Sequence, residues 1–244
     1  MIENNDRFPV WLTLFTVAIV SMLLALGFWQ VQRLNWKLDL IAARDAAIAA
    51  EPLSAADLRT TNDPAAIDFH RVRIEGVFLP GKEVHVYATS TDGKAGYHVL
   101  VPLLMPGGYT LLVNRGWVPP EKKDASERPG SLIAGPVAIS GVIRLPQGRG
   151  MFTPADDPAS NTAYAVDPAA FAARLGVAGL ETRFYLVADR DSTPPGGFPL
   201  GGQLKPGLKN NHLIYAITWF STGIAVAIAF IFFLLQRRRR NPAA

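Results

Sequence analysis

PVWLTLFTVAIVSMLLALGFW, residues 9 to 29, runs for 21 positions without a charged side chain. At about 1.5 Å per residue such a helix reaches roughly 30 Å, the thickness of the hydrocarbon core of a bilayer. A second run, LIYAITWFSTGIAVAIAFIFFLL at 213 to 235, is 23 residues long and equally uncharged. The pair predicts a membrane protein whose two transmembrane helices flank one extracytoplasmic domain. Ala25 and Gly27 offer a small-x-small cleavage site, but the apolar run exceeds the roughly 7 to 15 residues of a signal peptide and follows Glu3 and Asp6. An uncleaved anchor is therefore expected. The same early acids argue against a mitochondrial presequence and favour a bacterial inner (cell) membrane.

Arg237 to Arg240 follow the second run directly, and such a block stays in the cytoplasm. Two spans then bring both termini to that side and place the main domain in the periplasm. The expected division is a cytoplasmic N-terminus (1–8), a first span (9–29), a β-rich domain (30–212) led by a helix (30–50), a second span (213–235) and a basic tail (236–244). Between the spans, 19 Lys and Arg face 18 Asp and Glu, so the chain's net charge of +4 is a topology signal. No basic stripe remains to follow a phosphate backbone, which excludes nucleic acid as a partner; an anionic-lipid contact for the Arg block stays open. There is no cysteine, which rules out disulfides, thiol catalysis, iron–sulfur clusters and Cys-based zinc or copper sites.

After the first span, GFWQVQRLNWKLDLIAARDAAIAAEPL is rich in helix formers up to Pro52, so the helix is expected to continue out of the membrane. Trp29 and Trp36 would sit at headgroup depth, with the cations just beyond. Beyond Pro52, six short runs read as strands: 69–79, 84–88, 97–105, 109–118, 137–145 and 182–189. Gly107 and Gly108 read as a tight hairpin connection. These strands suggest a mainly antiparallel sheet, a small barrel or sandwich in an α+β domain, interrupted by one helix over 168–175 with Asp167 as N-cap. EKKDASERPG (121–130) and STPPGGFPLGGQLKPG (192–207) read as loops, the second as a connector without regular structure.

No HExxH, GxSxG, GxGxxG or Walker loop is present, and the adjacent Asp156 and Asp157 lie in a Pro-rich loop where acids are ordinarily solvated. His70, His85 and His98 sit on predicted strands at spacings that demand no metal. The chain is expected not to be an enzyme. His212 differs, because it stands in KNNHLIYAITWF (209–220) where the second span begins. An ordinary capped helix start, with Asn210 or Asn211 as the cap, accounts for it. Alternatively, His212, Tyr215, Ala216, Trp219 and Gly223 fall on one helical face carrying an imidazole, two aromatic rings and two small residues, which suits a flat apolar cofactor edge. Lys205, Lys209, Arg33 and Lys37 would lie at the same membrane surface, and Gly27, Gly223 and Ala227 would permit close helix approach.

Three motifs together, LGFWQVQRLNWKLDLI (26–41), YHVLVPLLMPGGYTLLVNRGWVP (97–119) and NNHLIYAITWF (210–220), resemble the Surfeit locus protein 1 family, bacterial type. The likeness covers both spans and most of the domain between them. One stretch departs: NTAYAVD (161–167) keeps Tyr164 and Asp167 where the family usually has a Trp-rich segment. The resemblance implies an assembly factor for haem-copper cytochrome c oxidase that binds haem a transiently and promotes its insertion into the large catalytic subunit. It implies His212 as the ligand to haem iron, with Trp219, Tyr215 and Arg33 as further cofactor-binding candidates. The oxidase large subunit is the expected partner, and haem a synthase a second one. Arg115 and Trp117 of NRGWVP suit the domain core or a partner surface as well as haem. The competing expectation is a cofactor-free membrane scaffold that stabilises an oxidase assembly intermediate.

Overall fold

The computed structural model describes residues 10–131, 133–204 and 210–240, the side chain of residue 240 excepted. Lys205, Lys209, the N-terminal segment 1–8 and the last residues of the tail lie outside the described residues. The chain divides into two compact units, one made from the ends (Met1–Ala42 with Gly207–Ala244) and one from Ala43–Pro206.

The first unit holds two long helices. α1 (Val10–Ala49) continues without a break through the leading segment after residue 29, and α4 (His212–Arg240) begins at the histidine itself. Both are long and apolar enough to cross a membrane. Leu23, Gly27 and Gln30 are the buried residues of α1, spaced i, i+4 and i+7 along one face. Gly27 makes the close approach possible: a Cβ there would lie 2.6 Å from the Phe220 ring. Phe220 packs edge-on against Phe28, with ring centroids 5.3 Å apart. Gly223 faces Leu23 in the same way, at ordinary contact distance.

The second unit is a seven-stranded sheet formed by β1 (Arg71–Phe78), β2 (Val84–Thr89), β3 (Ala95–Leu104), β4 (Thr110–Val118), β5 (Val137–Arg144), β6 (Thr162–Ala163) and β7 (Tyr185–Ala188). The order is β1-β5-β7-β4-β3-β2-β6, and a short pairing of Val77 and Phe78 with Leu104 and Leu103 links β1 back to β3. The sheet is mainly antiparallel, as expected, but it has seven strands rather than six and two parallel pairings. β7 runs parallel to β4, and the two-residue β6 runs parallel to β2. The reason is connectivity: β7 follows a long excursion and enters between β5 and β4, pairing antiparallel with the first and parallel with the second.

β1 alternates exposed and buried residues, as a strand covered on one face must. β4, TLLVNRGWV, is buried at every position because both of its faces are covered. Leu111 and Val113 join one core with Ile74, Val99, Leu103, Phe184 and Leu186, while Leu112 joins the other with Val84, Leu100, Phe171 and Leu180. α3 (Pro168–Leu175) supplies Phe171 to that second core. Its start is set by Asp167, whose Oδ1 accepts from the Ala170 N–H at 3.0 Å, and by Pro168. Replacing Asp167 with alanine should cost about 1 kcal/mol, read as a lowered urea midpoint of the full chain in detergent.

A short helix α2 (Ala55–Thr60) precedes the sheet, started by a capping box between Ser54 and Asp57 that the sequence reading missed. The β3–β4 hairpin turns through Gly107 and Gly108, both at positive φ. The charged stretch 121–130 is more ordered than a solvated loop. It winds through 3-10 turns at Pro120–Lys122, Ala125–Glu127 and Pro129–Ser131, and Arg128 is 4% exposed. The connector is also tied down over its described part, since Leu200 pairs with Trp117 through two backbone bonds of 2.8 and 2.9 Å.

Candidate functional site

α4 starts where Asn210 accepts from the His212 backbone N–H through Oδ1 at 3.3 Å, and the Asn211 carbonyl accepts from Tyr215 N–H at 3.2 Å. Both asparagines therefore serve the helix start. The His212 side chain turns towards α1, where its Nδ1–H donates to Gln30 Oε1 at 2.7 Å. Gln30 is 8% exposed, so this bond joins a buried amide to a half-buried imidazole.

The predicted face of α4 divides. Ala216 and Gly223 are buried, Trp219 is half-buried beside them, and Tyr215 is 53% exposed. On α1, Arg33 is exposed and stacks its guanidinium over the Trp36 ring at 3.8 Å. Trp29 and Trp36 are about half exposed, at 54% and 50%. His212 has a hydrogen-bond partner across the helix pair, and that partner, Gln30, was not a candidate. The signal for Gln30 was its spacing: it continues the Leu23, Gly27 face.

The domain histidines have structural surroundings. His85 is 3% exposed and donates from Nε2 to Glu83 Oε1 at 2.9 Å, while His98 Nδ1 lies 3.1 Å from Asn114 Nδ2. His70 Nδ1 lies near the Asp68 carbonyl at 3.4 Å. No group of three or more His, Asp or Glu able to hold a metal ion occurs among the described residues. Arg115 and Trp117, 6% and 5% exposed, belong to the domain interior. The Arg115 guanidinium donates to Ser131 O at 2.7 Å and lies over Phe78 at 4.6 Å; burial, then the nearby Arg128 charge, lowers its pKa to about 10 against the pull of Glu83.

The divergent segment 161–167 folds into β6 and the α3 cap. Tyr164 lies against Tyr87 with centroids 5.9 Å apart and lines an open hollow of about 530 Å³ together with Met151 and Phe152, each 93% exposed.

The family model described as the SURF1 family matches residues 17–224, taking in most of α1, the whole sheet and the first part of α4. The chain belongs to the SURF1 family. Among its relatives, Surfeit locus protein 1 of Rattus norvegicus is 32% identical over 253 aligned positions, covering 97% of this chain and 78% of the rat protein. Surfeit locus protein 1 of Homo sapiens is 33% identical, covering 94% and 78%. The SURF1-like protein of Monosiga brevicollis is 33% identical, covering 92% and 87%. The SURF1 match takes in Gln30, Arg33, His212, Tyr215 and Trp219.

Proposed function

We propose that this SURF1 protein is a non-enzymatic assembly factor for haem-copper cytochrome c oxidase that carries haem a on His212 and releases it to the large catalytic subunit. The observation that carries the reading is the imidazole at the first turn of α4, half-buried, with Nδ1 engaged by Gln30 Oε1 at 2.7 Å. The residue set fits a haem. A single imidazole with no thiol for covalent attachment suits reversible binding. The helix N-terminus offers partial positive charge to propionates. Trp219 and the exposed ring of Tyr215 provide flat apolar surface on the same helix. When bound, haem would supply the redox chemistry of its iron; His212 would hold it, and Tyr215 and Trp219 would be the aromatic groups available to it on the same helix.

The same reading places α1 and α4 across a bacterial inner membrane, with both termini cytoplasmic and residues 30–212 periplasmic. Support comes from the surfaces of the helices: Trp11 at 84%, Phe15 at 63%, Ile214 at 66% and Ile228 at 60% exposure are large apolar groups with no protein cover. In water that surface would exceed what soluble chains expose, whereas hydrocarbon is its natural surround. The helical backbone satisfies its own hydrogen bonds, as a span requires.

The test is to produce the protein together with haem a synthesis, purify it in detergent and compare visible spectra of the wild type and His212→Ala. The expected result is a haem a spectrum in the wild type and loss of most of that absorbance in the variant. Equal haem in both would remove His212 from the ligand role. A haem-free wild type that still captures the oxidase large subunit would instead establish the scaffold.

A further inference from the structure

We infer that Gln30 is the positioning residue of the candidate haem ligand: its side-chain carbonyl holds the His212 imidazole in the Nδ1–H tautomer and so makes Nε2 the ligating nitrogen. The inference rests on the haem-carrier reading for its purpose, but not for its geometry. A glutamine within the seam of two apolar helices is costly unless its amide is paired. Gln30 is 8% exposed and continues the packed Leu23, Gly27 face, so its side chain is held against α4. There Oε1 lies 2.7 Å from His212 Nδ1, a contact between residues 182 positions apart.

A carbonyl oxygen accepts and cannot donate, so the bond requires the proton on Nδ1. The lone pair of the neutral ring then resides on Nε2. Free histidine in water favours the opposite tautomer, so the seam selects the form that leaves the outer nitrogen available. Ligating histidines ordinarily donate their second N–H to a carboxylate or carbonyl, and loss of that partner typically costs about 10- to 100-fold in metal affinity. Gln30 occupies this role with a neutral group. A carboxylate in its place would pull the Nδ1 proton harder, make the imidazole more basic and strengthen its bond to iron. An amide fixes direction without that added strength, which suits a carrier that must let its cargo go.

The experiment uses the full chain in detergent micelles with ¹⁵N-labelled histidine, haem-free, at a pH where the imidazole is neutral. Long-range ¹H–¹⁵N spectra, with His212 assigned by His212→Ala, are expected to show Nδ1–H in the wild type, a shift towards Nε2–H in Gln30→Leu and retention of Nδ1–H in Gln30→Glu. An Nε2–H signal in the wild type overturns the inference without any variant having to fold. Iron protoporphyrin IX is then titrated into each protein. Gln30→Leu is expected to weaken binding about 10- to 100-fold, and Gln30→Glu to bind more tightly and release more slowly. If the wild type binds through His212 while Gln30→Leu changes neither tautomer nor affinity, the positioning role fails and the carrier reading survives. If the tautomer responds to Gln30 but no protein binds the porphyrin, the carrier reading fails and the tautomer assignment stands.

Discussion

Gly116→Ala should unfold a large fraction of the sheet domain. Gly116 sits in the middle of β4 at φ +129°, a backbone conformation that side chains rarely adopt. An added Cβ would lie 2.2 Å from the Leu200 carbonyl oxygen and 2.3 Å from its carbon. Those are backbone atoms, pinned by the bonds Trp117 N–H to Leu200 O and Leu200 N–H to Trp117 O. The methyl group cannot be relieved by a rotamer change, so the connector must leave β4 or β4 must leave the core. Strain of about 1–3 kcal/mol adds to the loss of two buried backbone bonds at about 1 kcal/mol or more each. A sum of about 3–5 kcal/mol is a large part of the roughly 5–15 kcal/mol that stabilises an ordinary domain. The measurement is urea unfolding of the full chain in micelles, followed by near-ultraviolet dichroism. A midpoint equal to the wild type would refute this account of the glycine.

Glu83→Ala is expected to be comparably damaging for an electrostatic reason. Glu83 Oε1 accepts from Arg128 Nη2 at 2.5 Å and from His85 Nε2 at 2.9 Å, with the Glu83 side chain 16% exposed and that of Arg128 only 2%. Arg128 also donates to the carbonyls of Lys122 and Lys123 and to Ser131 Oγ, which ties the 121–131 stretch to the start of β2. Without the carboxylate, Arg128 and the nearby Arg115 are two buried cations with no anion between them, a situation that costs about 3–5 kcal/mol. Burial alone would raise the Glu83 pKa; the His85 hydrogen bond and the Arg128 charge outweigh it and hold the carboxyl below its ordinary 4.5. A carboxyl depressed in the folded state contributes stability that is fully present above 4.5 and is lost as pH falls through the lower folded value. The gap in urea midpoint between wild type and Glu83→Gln should therefore be constant near neutrality and narrow in acid. A gap independent of pH across that acid range would show that the carboxylate charge is not what the cluster uses.

Much of the domain was legible because its strands obey simple patterns. The alternation of RVRIEGVF and the β-branched density of VHVYA and VAISGVIR placed β1, β2 and β5, and Asp167 with Pro168 placed α3 within a residue. β6 was missed because two residues carry no period, and its partners are fixed by a return of the chain to His85 and Val86. The parallel entry of β7 was invisible for a related reason: strand order is a property of the whole chain, whereas periodicity reports only local faces. Arg128 looked like one charge among several in EKKDASERPG, and only the approach of Glu83, 45 positions away, makes it an interior residue. At the candidate site, His212 stood out as a polar residue beginning an apolar run. Gln30 did not, because one helix can be read for its own faces but not for which face its partner takes.

Strand β7 carries a consequence for how the polypeptide is made. Residues 185–188 are the last strand to leave the ribosome, yet they lie between β5 and β4, in the interior of the pairing order. Until they arrive, β4 and β5 present facing edges with open backbone donors and acceptors, which are templates for pairing with another chain. The nascent domain is thus vulnerable for most of its synthesis and closes only shortly before α4 appears. A premature stop or frameshift anywhere before Tyr185 would leave a sticky, protease-accessible remnant instead of a smaller working protein.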